Sequence, residues 1–207
     1  MGQFIGVDIH RKFLQVCVMD AEGVVSEELR LEMDEPKAIE QFFSRFAEGT
    51  PVVVEATCGW MWLADLLDSL GLQVHLAHMK GVRVIAESRC KTDRIDARVL
   101  ADLLRTNFLP EAYLAPPGVR DLRMILRHRE GLIRWRTSAK NKVHGLLMRY
   151  NIHLEGSDIF GVAGRRMLSE LELPSRARRI MDQHLAGIEF LDSQIRSIGK
   201  RLYEELP

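Results

Sequence analysis

The spacing of apolar residues changes character about halfway along the chain, and with it the element each stretch predicts. The first half consists of short apolar runs separated by glycine, proline and acids. Phe4-Ile5-Gly6-Val7-Asp8 reads as a buried strand ending in a carboxylate. Leu14-Gln15-Val16-Cys17-Val18-Met19 follows a short turn as its hairpin partner, with Ala21-Glu22-Gly23 as the next turn. Glu28 to Met33 alternates polar and apolar residues, as a half-exposed third strand would. Pro36 opens a helix in which Ile39, Phe42, Phe43 and Phe46 recur at helical spacing until Gly49. Pro51-Val52-Val53-Val54-Glu55 is a β-branched run that again ends in an acid. Gly59 to Leu67 is helical and stops near Gly71, and Leu72 to Ala77 is a fifth strand. A further helix opens at Cys90-Lys91-Thr92-Asp93-Arg94-Ile95-Asp96-Ala97-Arg98-Val99-Leu100. The order β-β-β-α-β-α-β-α predicts an α/β domain with a mixed five-stranded sheet and helices on its faces.

Beyond Pro116-Pro117-Gly118 the pattern is helical throughout. Val119 to Tyr150 reads as one long helix. Leu122, Ile125, Leu132, Ala139, Val143, Leu146 and Tyr150 fall on an approximate heptad seam, interrupted by Arg129 and Arg136. Asn151 to Asp158 is a loop, Ile159 to Leu171 a shorter helix, and Pro174 breaks it. In the last helix His184, Ile188, Leu191, Ile195, Ile198 and Leu202 step by 4, 3, 4, 3 and 4 residues, the spacing of a coiled-coil seam. That seam predicts pairing with the long helix of the same chain or with a second copy in a homodimer or higher homo-oligomer. The spacing leaves both open.

Composition narrows the class. Of the 207 residues 46% are hydrophobic, enough for a core. No apolar run approaches the roughly 20 residues of a membrane span. The first residues lack the basic segment and small-residue cleavage site of a signal peptide. Cys17, Cys58 and Cys90 have neither zinc spacing nor a paired framework, which fits a reducing cytoplasm. The seven histidines show no metal-ligand spacing, and Trp60 and Trp62 read as helix packing.

The net charge of zero hides an asymmetry. Met1–Ala115 holds 12 Lys and Arg against 18 Asp and Glu, whereas Pro116–Pro207 holds 17 against 11. Opposite charge in the two halves predicts two modules with different partners, joined within Pro110–Gly118 and dividing the chain into residues 1–112 and 113–207. The window Arg120–Arg149 carries nine basic residues against Asp121 and Glu130. That skew favours contact with a nucleic-acid backbone over an ordinary solvated face. The expected contacts are Arg120, Arg123, Arg127, Arg134, Lys140, Lys142 and Arg149, joined by Arg165 and Arg166 from the next helix. With little aromatic interleaving beyond Trp135, duplex DNA or structured RNA is the better match than single strands.

The candidate chemistry lies in four acids. Asp93 and Asp96 share a helix face, with Cβ atoms about 5–6 Å apart. Taken alone, such a pair reads as a helix cap and a surface ion pair. Asp8 and Glu55 end the first and fourth strands; if those strands are adjacent and parallel, the acids meet where open α/β sheets place ligands. Converging carboxylates repel one another. Hard cations such as Mg²⁺ or Mn²⁺ would resolve the repulsion and supply phosphodiester chemistry.

Gly6-Val7-Asp8, Val53-Val54-Glu55-Ala56-Thr57-Cys58-Gly59 and Lys91-Thr92-Asp93-Arg94-Ile95-Asp96-Ala97 together resemble the DEDD-type transposases of bacterial insertion sequences. The N-terminal domain of that family is like the RuvC junction resolvase, an RNase H-like fold. The resemblance covers the first module and continues less specifically into the helical one. It implies that Asp8, Glu55, Asp93 and Asp96 are the catalytic, metal-binding set. It also implies DNA and a structured guide (bridge) RNA as partners, and a location in the bacterial cytoplasm with the nucleoid. Family members carry a further domain with a nucleophilic serine, which nothing here matches. The expectation is therefore an N-terminal fragment, inactive alone in strand exchange. The alternatives are a non-catalytic nucleic-acid-binding and oligomerisation module or a RuvC-like junction nuclease. Sugar kinases and actin also begin with a strand ending in Asp, but their phosphate sites want glycine and a hydroxyl where this chain has Ile9-His10-Arg11-Lys12.

Overall fold

The computed structural model describes residues 2–57, 59–86, 93–154 and 158–205, with the side chains of residues 83, 84, 86, 93–96 and 205 outside the description. Cys58 and Cys90-Lys91-Thr92 of the sequence motifs also lie outside the described residues. The chain forms two compact units, Met1–Leu114 and Ala115–Pro207. Among the described residues no helix is long and apolar enough to cross a membrane.

The first unit is built on strands β1 (Gln3–Ile9), β2 (Phe13–Asp20), β3 (Val25–Glu32), β4 (Pro51–Glu55) and β5 (Gln73–Ala77). They form one sheet in the order β3-β2-β1-β4-β5. The first three run as an antiparallel meander, and β4 joins β1, and β5 joins β4, in parallel. Strand periodicity sorts the side chains onto two faces. On one, Ile5, Val7, Leu14, Val16, Val52 and Val54 pack against Ile39 and Phe43 of α1 (Pro36–Phe43) and Leu63 and Leu67 of α2 (Trp60–Ser69). On the other, Cys17, Met19, Val53 and Ala77 pack in two clusters with Val82 of α3 (Met79–Ala86) and Ala97, Leu100 and Ala101 of α4 (Asp93–Arg105).

The short helix α3 departs from the expected order. Gly81 and the β-branched Val82, Val84 and Ile85 give that stretch little helix propensity. It is helical nevertheless, with Val82 buried among Val53, Ala77 and Leu100, so tertiary burial outweighs local preference.

The second unit consists of α5 (Pro117–Arg149), α6 (Val162–Glu170) and α7 (Ser175–Glu205), with α5 and α7 packed along each other. Val143 and Leu147 of α5, Leu168 of α6, and Met181 and Ile188 of α7 form the core with Ile159 and Phe160. The stripe on α7 includes the expected seam, with Ile188 and Ile195 buried, and extends back to Met181 and Ala177. On α5 the seam drifts: Leu147 is buried where Tyr150 was expected, and Tyr150 is exposed. A straight helix slips against a strict seven-residue repeat in this way. Helix α6 starts three residues later than its pattern suggests. The Phe160 amide donates to Asp158 Oδ1 at 3.0 Å, and Ile159 and Phe160 are buried ahead of the helix.

Arg136, one of the interruptions in the α5 seam, has a partner across it. Its Nη1 donates to Asp192 Oδ1 at 2.8 Å, and Arg165 Nη2 donates to Asp192 Oδ2 at 2.7 Å. One carboxylate on α7 thus ties α5 and α6 together. Burial works against the Asp192 charge, but the hydrogen bonds from Arg136 and Arg165 outweigh it and hold the carboxyl below its ordinary range.

Candidate functional site

The parallel register of β1 and β4 matches Ile5 with Val52, Gly6 with Val53 and Val7 with Val54. Asp8 and Glu55 are the next residues on each strand, so they stand side by side at the carboxyl edge. Alternation places both on the face that α4 covers, since Gly6 and Val53, two residues earlier on each strand, meet that helix. Asp8 is 3% exposed and Glu55 is half-buried.

Helix α4 lies directly on β1 at Gly6. A Cβ there would sit 2.1 Å from the Ala97 carbonyl oxygen and 2.6 Å from the Ala101 nitrogen, so only glycine lets the helix backbone settle on the strand. The far end of the helix fixes its direction. Arg105 Nη1 donates to the Ala21 carbonyl at 3.2 Å, next to Asp20, which pairs with Gln3 at the start of β1. The helix therefore runs antiparallel to β1. Going back one turn from Ala97 to Asp93 advances about 6 Å. Gly6 to Asp8 advances about 7 Å in the same sense. The first turn of α4, which bears Asp93 and Asp96, thus heads towards the edge where Asp8 and Glu55 stand. The side chains of Asp93 and Asp96 are outside the described residues, and among the described ones no three His, Cys, Asp or Glu form a metal-sized cluster.

Two neighbours that the sequence reading did not single out sharpen this edge. His10 Nε2 lies 2.9 Å from Asp8 Oδ2. Thr57, two residues past Glu55, has a buried Oγ1 that lacks a hydrogen-bond partner among the described residues. Both follow an acid at the i+2 position, and that spacing was the available signal. A buried carboxylate with an unsatisfied hydroxyl beside its neighbouring strand fits the all-oxygen environment that Mg²⁺ or Mn²⁺ takes.

The basic residues divide by setting. Arg123, Arg127, Lys142 and Arg149 are exposed on α5, as is Arg134, which pairs with Glu130. Arg166 is exposed and bonded to Glu170 at 2.9 Å. Lys140 is half-buried, with its ammonium 4.7 Å over the Phe160 ring, beside a cavity of about 480 Å³ lined also by Asn141, His144 and His153. Of the residues expected at a nucleic-acid surface, Arg120 is buried, and Arg165 is partly exposed and already paired within the unit. Arg120 is 8% exposed, and Arg165 is held by Asp192 and by the Phe160 carbonyl at 2.7 Å.

An antiparallel three-stranded meander extended by two parallel strands, with acids at the carboxyl ends of β1 and β4, makes an α/β domain whose mixed sheet is consistent with the RNase H-like kind. Residues 5–152 match the model of the IS110-type DEDD family, described as "Transposase", and the chain belongs to that family. It is also similar to the transposase for insertion sequence element IS1328 of Yersinia enterocolitica, at 27% identity over 162 residues. That match covers 75% of this chain and 46% of the relative, so the chain spans about half the relative's length.

Proposed function

We propose that the α/β unit is the metal-dependent half of a DNA transposase, in which Asp8, Glu55, Asp93 and Asp96 hold Mg²⁺ or Mn²⁺ for strand cleavage and exchange. The observation that carries this reading is the meeting of Asp8 and Glu55 on adjacent parallel strands, under a helix whose first turn brings the other two acids towards the same edge. Such cations, when bound, activate an attacking oxygen and stabilise a leaving one at phosphorus. The protein's part is positional. Strand ends fix Asp8 and Glu55, and the seat at Gly6 sets how far α4 advances.

The helical unit, in the same proposal, binds DNA and a structured guide RNA through the exposed Arg123, Arg127, Arg134, Lys142, Arg149 and Arg166 with Lys140. Its exposed Trp135 and Phe190 provide a contact for a second copy of the chain. Calorimetric titration with Mn²⁺ tests the metal site: Asp8→Ala and Asp93→Ala each abolish binding, and unchanged affinity in both would sink it. For the helix, Arg127→Glu with Arg134→Glu weakens duplex DNA or RNA binding and lowers the slope of log affinity against log salt by about two. An unchanged slope removes those residues from the interface.

A further inference from the structure

We infer that His10 is a positioning residue for the candidate metal site: it fixes the Asp8 carboxylate through one oxygen and leaves the other turned to the cation. This rests on the reading of Asp8 as a metal ligand.

The hydrogen bond has a defined direction. Ionised Asp8 offers only acceptors, so the 2.9 Å contact between Oδ2 and His10 Nε2 requires the ring proton on Nε2. Asp8 is 3% exposed, so little water competes for that oxygen. The imidazole is itself held. Its backbone amide donates to the Phe13 carbonyl at 2.9 Å, closing the turn between β1 and β2. Its ring stacks on Phe13, with centroids 4.4 Å apart and planes 22° from parallel. The Arg30 guanidinium lies 3.6 Å from the Phe13 centroid, and Glu32 grips it through Oε1 and Oε2 at 2.7 and 3.3 Å. A row of planar groups thus runs from Glu32 on β3 through Arg30 and Phe13 to His10, and ends on Asp8.

Such a row does little for the apolar core, because Phe13 and His10 are only half-buried and Arg30 is exposed. What it does is remove rotational freedom from one carboxylate. Groups that orient a metal-binding carboxylate in this way are worth about 10–100-fold in metal affinity.

The test separates ring from donor in the 207-residue chain. His10→Phe keeps an aromatic ring on Phe13 and loses the donor, whereas His10→Gln keeps an N–H donor and loses the ring. With Mn²⁺ alone as titrant, His10→Phe weakens binding about tenfold or more and His10→Gln recovers most of the loss. Wild-type affinity in His10→Phe, with binding abolished in Asp8→Ala, overturns the positioning role and leaves the metal reading standing. Equal losses in His10→Phe and His10→Gln overturn it too, because the donor is then not what matters. Unchanged binding in Asp8→Ala overturns the metal reading and this inference with it. Should His10→Phe fail to fold, the imidazole nitrogen spectrum of the wild-type chain with Mg²⁺ checks the same bond. The Nε2-protonated tautomer is expected, and the Nδ1-protonated one overturns it.

Discussion

In the α/β unit both faces of the sheet are sealed by apolar side chains, whereas the seam of the helical unit runs through a carboxylate shared by two arginines. The first unit is held by Phe43, Ile5, Leu14, Leu63 and Leu67, all fully buried. The second has fewer such residues and adds Asp192, whose side chain is 16% exposed, between Arg136 and Arg165. Apolar burial responds weakly to pH and salt, but an ion triad responds to both. The unit proposed to hold metal therefore has a rigid, chemically indifferent frame. The unit proposed to bind polyanions has an interior that uses the same kind of charge as its surface.

Three variants and conditions press on that contrast. The largest effect is expected from Gly6→Val, which forces a side chain into the α4 backbone and costs the first unit about 3 kcal/mol or more. The Cys17 thiol reports it. Burial, with help from the Glu28 charge, pushes that thiol up to about 11, and Cys17 is fully buried, so alkylation requires the unit to open. Gly6→Val makes Cys17 react rapidly, and continued protection would mean that α4 does not depend on the glycine.

Asp192→Ala comes next. It leaves two arginines facing each other and destabilises the helical unit by about 2–3 kcal/mol, below the range for fully buried pairs because both guanidinium groups are partly exposed. Hydrogen exchange quickens in α5 and α7 while Cys17 stays protected. Matching acceleration in β1 and β4 would show that the two units do not unfold separately.

Acid gives the smallest effect. The Asp192 carboxyl is depressed in the folded chain, so its stabilisation is complete above the ordinary carboxylate value of about 4 and is lost as pH falls through the depressed value. The helical unit thus weakens in acid, and Asp192→Asn shows no such loss. An identical acid limb in Asp192→Asn would assign the sensitivity to other groups.

Much of the α/β unit was legible because strand alternation and terminal acids are local signals. The apolar runs at Phe4, Leu14, Pro51 and Leu72 each became a strand within a residue or two of the expected bounds. The adjacency of Asp8 and Glu55 was legible only as a condition, since sequence does not state which strands pair. What was hidden is tertiary. Arg136 read as a flaw in a heptad because its partner Asp192 lies 56 residues away. Arg120 read as a surface charge because composition does not reveal which face of a helix is covered. His10 stood two residues from Asp8, yet its contact with that acid comes with a ring stack that only the folded turn creates.

The seat of α4 on Gly6 also sets an order of events at the ribosome. A chain made from its N-terminus has β1, β2, β3, β4 and β5 in hand well before Ala97 emerges. Closure of α4 onto β1 spans some ninety residues of sequence, a contact of the kind that forms late. The sheet can assemble first, with the stripe at Gly6 still uncovered. A nascent chain therefore carries only half of the acids the mature edge is proposed to use until translation has passed the last of them.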